Sequence, residues 1–292
     1  MYMKRLYING KLFVFIMSFF AIACSGVGES DILNERQYHL AEKAFVNGNE
    51  FIILGDYKNA ITELNNAYSH FLLAGSNDMA IISALKVHHV YILNKQNDLA
   101  DIWLNKADKI SAGNQNLLVN KFILTKANTA LINGEHEKGR NILNQFNGTK
   151  ADDDDLFEFH FLNLALSQKL GSSVSGSREY LSKNIQSQFN DAITGEHKNP
   201  LIVSSAGYEI AKLLVHEGNY EEAISYAKIA HDVDQLYNYV GGLAQDCLLM
   251  SNIYEKLNDR GNADFYLLKS KEFYEITGDT KKLEAIKKKM RR

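Results

Sequence analysis

One short phrase occurs twice in this chain: Gly55-Asp56-Tyr57-Lys58-Asn59-Ala60-Ile61 returns, 163 residues later, as Gly218-Asn219-Tyr220-Glu221-Glu222-Ala223-Ile224. Each residue in it has a physical reading. Gly55 can take the left-handed conformation that ends a helix. Asp56 can cap the helix that follows. Ala60 and Ala67 then lie seven apart on one helical face, small enough to let neighbouring helices approach closely. The phrase thus writes the turn of a helical hairpin, and a chain that repeats it is built from hairpins in series. Composition agrees, because Pro200 is the only proline in 292 residues, and an all-β chain would need more in its turns.

With the spacing known, further copies emerge. The second strong copy adds Ala211 and Ala230; weaker ones place Tyr91, Ala100 and Ala107, then Ala127, Gly134, Gly139 and Phe146, then Ser251, Tyr254, Ala263 and Ser270. A degenerate sixth covers residues 161–181. The anchors Ala60, Ala100, Gly139, Ala223 and Ala263, with one near position 177, are spaced by 39 or 40 residues where the copies are clear. Gly48, Gly55-Asp56-Tyr57, Ala60 and Ala67 together resemble a tetratricopeptide (TPR) repeat, and the long step is similar to the subclass with extended helices. The resemblance runs from residue 33 to about 275. It implies an all-α, TPR-like α-solenoid of about six helix-turn-helix units: units 1–4 over 33–186, a loop at 187–200 that lets two sub-arrays flex, units 5–6 over 201–279, and a basic capping helix over 280–292.

The N-terminus reads differently. Lys4, Arg5 and Lys11 precede an apolar run, Leu12 to Ala23, too short to span a membrane comfortably, which takes about 20 residues. It ends in Ala21-Ile22-Ala23-Cys24, which resembles a bacterial lipobox. That resemblance implies a signal peptide at 1–23, a lipid on Cys24 and a tether over 24–32, holding the chain in the bacterial cell envelope, at the outer membrane facing the periplasm. The other reading is a plain secretory signal or an uncleaved anchor. Cys247 lies in an apolar run and reads as a buried structural thiol.

No nucleotide-binding, metalloprotease or nucleophile-elbow motif occurs, so neither an enzyme nor a cofactor is expected. His88 and His89 are adjacent and point about 100° apart on a helix, so no shared metal is expected. The net charge of −3 argues against a nucleic-acid partner. The run Asp152 to Asp155 lacks the spacing of a calcium loop and reads as a helix start.

In TPR arrays the first helix of each unit lines a concave groove. Transferred to this chain, its ninth position is Asn49, His89, Asn128, Lys212 and Asn252, donors and acceptors suited to an extended peptide backbone. Flanking apolar positions, among them Phe45, Leu85 and Tyr208, are either side-chain pockets or core. The resemblance implies a protein or peptide partner in the groove and a scaffold or adaptor role; the alternative is a carrier of a lipid or hydrophobic small molecule.

Overall fold

The computed structural model describes residues 29–114, 118–195 and 199–290. Cys24 and the apolar run before it lie outside the described residues, as do Arg291 and Arg292. Thirteen α-helices and a 3-10 turn at Gly148–Lys150 make up the described chain, with no strand among the described residues. They pair in order. α1 (Glu29–Ile53) packs on α2 (Tyr57–Leu73), α3 (Asn77–Leu93) on α4 (Asn97–Gly113), and α5 (Val119–Ile132) on α6 (His136–Leu143). α7 (Asp153–Leu170) then packs on α8 (Ser175–Thr194), α9 (Leu201–Glu217) on α10 (Tyr220–Leu236), and α11 (Val240–Lys256) on α12 (Arg260–Thr277). α13 (Thr280–Met290) follows alone. The expected all-α solenoid is therefore six helical hairpins and a terminal helix.

The turn inside every hairpin has one construction. The first helix ends on a residue with positive φ: Gly55, Lys95, Gly134, Gly171, Gly218 and Asn258 in the six pairs. The next residue's N–H then reaches back five positions, as in Asp56 N–H to the Phe51 carbonyl at 2.9 Å and Asn219 N–H to the Leu214 carbonyl at 2.9 Å. This satisfies carbonyls that the helix end leaves open and turns the chain sharply. Asp56 also caps α2, its carboxylate accepting from the Asn59 N–H at 3.2 Å. In five of the six second helices the small anchor is the fourth residue (Ala60, Ala100, Gly139, Ala223, Ala263); Ser177 is the third residue of α8, and all six are buried.

Successive first helices pack closely from α3 through α5, α7 and α9 to α11, whereas among second helices only α8 and α10 do so. A double layer drawn together on one side curves toward that side, so the first helices line the inner face. One buried core runs from Phe157 and Leu164 on α7 through Leu181, Ile185 and Ala192 on α8 to Ile202, Val203 and Ile210 on α9 and Ile253 on α11.

That continuous core corrects the expected loop at 187–200. Helix α8 runs on to Thr194 because Gln188 and Ala192 turn inward and are buried, and Gly195 closes it at φ 80°. The Tyr237 hydroxyl donates to the Ala192 carbonyl at 2.7 Å, tying this end to the next hairpin. Part of the long step there therefore lengthens a helix. Helix also reaches into the segment expected as a tether at 24–32: α1 begins at Glu29, with Asp31 in its first turn where negative charge is favourable.

Two kinds of glycine should respond differently to alanine. At Gly218 (φ 83°) an added Cβ meets nothing, so only backbone strain is incurred, about 1 kcal/mol. At Gly207 a Cβ would stand 2.9 Å from the Tyr226 backbone oxygen across the α9–α10 contact, and the loss should be larger, about 1–3 kcal/mol. Lys95→Gly should go the other way, gaining up to about 1 kcal/mol by relieving a left-handed lysine at φ 57°. Urea denaturation of the three variants checks the order.

Candidate functional site

The left-handed residue that ends each first helix fixes a common level along the array. The position six residues before it is Asn49, His89, Asn128, Ala165, Lys212 and Asn252. The five polar residues expected to line the groove therefore do share one register. Their side chains meet different fates. The Asn49 amide donates back to the Phe45 carbonyl of its own helix at 3.0 Å. Lys212 is held by both oxygens of Glu209 at 2.7 Å and lies 5.3 Å from the centre of the Tyr208 ring. Asn252 accepts from the Lys289 ammonium at 2.5 Å, so the terminal helix engages the last position of the row. Asn128 and His89 are half-buried and make no side-chain hydrogen bond among the described residues.

The flanking apolar residues divide as well. Leu85 is buried in the core of the first units, and Phe45 packs edge-on against Phe71 at 6.3 Å. Both support the wall and are not pockets in it. Tyr208 is half-buried beneath Lys212, and burial pushes its phenol well above the ordinary value.

Near His89 stands a charged group that the sequence reading did not single out. Lys86 on α3, Lys121 on α5 and Asp155 and Glu158 on α7 face one another across three successive first helices. Lys121 pairs directly with Asp155. Desolvation works against the Lys121 charge, but Glu158, Asp155 and Asp152 outweigh it and hold the pKa above that of a free lysine. Among the described residues, Lys86 and Glu158 have no hydrogen-bond partner. Both keep a solvent-facing edge while protein surrounds them on the other sides; desolvation lowers the Lys86 pKa, partly offset by Glu158, and raises that of Glu158, partly offset by Lys121 and then by Lys86. Lys86 lies within Coulombic reach of the unengaged His89. A segment offering both acceptors and donors would satisfy these groups together with Asn128 of the same row.

The remaining candidates are structural. His88 is buried, its Nδ1 3.0 Å from the Ala100 carbonyl and its Nε2 2.9 Å from the Thr129 hydroxyl, so both nitrogens are engaged. Asp152 caps α7, its carboxylate accepting from the Asp155 N–H at 2.8 Å. Cys247 is buried, and desolvation pushes its thiol to about 12, which leaves it unreactive. A cleft of about 400 Å³ opens between α4, α5 and α6, lined by Asp108, Phe122, Lys126, Ile142 and others, but no member of the groove set borders it.

No protein-family model matches the chain, and no curated protein does. Among solved structures, the chain is similar to one from a functional characterisation of Pseudomonas aeruginosa pilF, at 16% identity and a TM-score of 0.47, over 87% of this chain and 99% of that one. The architecture above rests on the helices themselves and takes nothing from this likeness.

The electrostatics of the inner face can be read directly. Desolvation, with help from Lys86 and His88, depresses His89 to about 4. Between about 6.5 and about 4 the unfolded chain binds a proton that the folded chain refuses, so stability should fall as pH drops through that window, by on the order of 2 kcal/mol. His89→Asn should flatten that part of the profile, as measured by urea denaturation at pH 4.5 and 7.

Proposed function

We propose that this protein is a scaffold that holds an extended segment of a partner polypeptide along the inner face of its solenoid, centred on Lys86, His89, Asn128 and Glu158. The observation that carries this reading is the unengaged polar set on α3, α5 and α7. Elsewhere on the same row the groups have partners, in Lys212 with Glu209 and Asn252 with Lys289. A peptide backbone presents carbonyls to Lys86 and the Asn128 amide and N–H groups to Glu158 and the Asn128 carbonyl, which is the complement of what is exposed. A hydrophobic carrier would need an apolar lining, and the charged centre disfavours it.

The N-terminal sequence adds a location to this proposal. With Cys24 lipidated, at most four residues, Ser25 to Gly28, would separate the lipid from α1, and the scaffold would work close to a bacterial membrane, with the outer membrane's periplasmic face the reading carried from the lipobox resemblance.

Two experiments test the two halves. A photo-crosslinking amino acid at position 128 should capture polypeptide in cells, whereas the same probe at the exposed position Asn66 on α2 should not; equal yields at both would end the groove reading. Lys86→Ala should cut the yield at position 128 about tenfold while leaving the melting temperature unchanged or higher, because the desolvation of Lys86 is only partly offset in the folded chain. Cys24→Ser should move the protein from the membrane to the soluble fraction and abolish incorporation of labelled palmitate; unchanged fractionation would reject the lipid anchor.

A further inference from the structure

The junction between the fifth and sixth hairpins holds two carboxyl groups where a solenoid would ordinarily place leucines. Asp234, in the last turn of α10, and Asp246, on α11, are 1% and 2% exposed. They hydrogen-bond to each other, and Ser204 of α9 hydrogen-bonds to Asp234. Two ionised carboxylates have no donor between them, so this contact requires a proton on one of them. The site is shaped for it: at Gly242 a Cβ would fall 1.6 Å from Asp234 Oδ2 and 2.7 Å from a ring carbon of Tyr239.

Nothing nearby stabilises a second negative charge. The titratable groups that face the pair are Tyr208 from α9, Tyr239 from the α10–α11 turn, Cys247 on α11 and Tyr274 from α12, all of them neutral acids. No Lys, Arg or His acts on either carboxyl. The outer oxygens, Asp234 Oδ1 and Asp246 Oδ2, have no hydrogen-bond partner. Tyr239 stands over Gly242 beside Asp234.

We propose that Asp234 and Asp246 form a proton-operated latch: the shared proton fastens α10 to α11, and its loss loosens that junction. The direction in pH follows from burial, which raises Asp234 to about 7 and Asp246 to about 9, as a pair, against about 4 for a free aspartate. Both lie above the unfolded value. The stabilisation is therefore complete below about 4 and is lost progressively as pH rises from there, the last shared proton leaving at about 9. The latch involves no ligand, so its failure would leave the groove reading untouched.

Hydrogen exchange read by mass spectrometry on the full chain in mild detergent, with rates corrected for intrinsic pH dependence, tests it. In the wild type, protection of 234–250 should fall by about tenfold or more between pH 6 and pH 10. Asp246→Asn carries a permanent donor, Nδ2, and should hold that segment within about twofold over the same range. Unchanged wild-type protection, or a fall that persists in Asp246→Asn, overturns the latch. Should the variant fail to fold, infrared spectroscopy of the wild type remains decisive: a protonated carboxylic-acid band must be present at pH 6.5 and gone at pH 10, and its absence at pH 6.5 overturns the proposal.

Discussion

The structure depends on a helix end that can be turned back on itself without leaving its carbonyls bare. A left-handed residue followed by a reach-back N–H solves this in every hairpin, and the small residue a few positions later lets the returning helix lie close. One hairpin still has an apolar side that nothing in it can cover. The next hairpin covers that side and exposes one of its own, so stability passes along the stack by contact with immediate neighbours. The inner face follows from the same packing, since the first helices sit closer together than the second ones.

Much of this was legible because the turn is written in residue types with few substitutes. Glycine marks four of the six turns, and the small anchors at Ala60, Ala100, Gly139, Ala223 and Ala263 set the register. The two turns without glycine, at Lys95 and Asn258, were located by spacing rather than by chemistry. The fourth hairpin resisted because its anchor, Ser177, comes six residues after Gly171, where the other anchors come five after theirs. That slip also hid Ala165 as its member of the inner row. The misread loop has a different cause: Ser187 to Thr194 sets five polar residues among Phe189, Ala192 and Ile193, and that mixture looks like a loop until Gln188 and Ala192 are seen to be buried.

The candidate site was only half legible. Counting ninth positions found Asn128 and His89, but the charged group lies one or two turns toward the start of each helix. Lys121 and Glu158 share the second position of adjacent first helices, and tabulating that position would have shown them together. Which of the polar residues are spent and which remain unengaged could not be read from the chain. Asn252 loses its place to Lys289 through a packing arrangement of α13, and Asn49 to its own backbone through a rotamer.

The two ends of the stack are not equivalent. α13 tucks Ile286 against Ala244, Leu267 and Tyr274 and turns Lys281, Lys282 and Lys288 outward, while α1 leaves Ile32, Leu33 and Leu40 uncovered. Helical stacks of this type can in principle grow head to tail, each copy supplying the unit that the last one lacks. Here the outward face of α13 is studded with lysines and that of α1 is greasy, so the two surfaces are not complementary to each other.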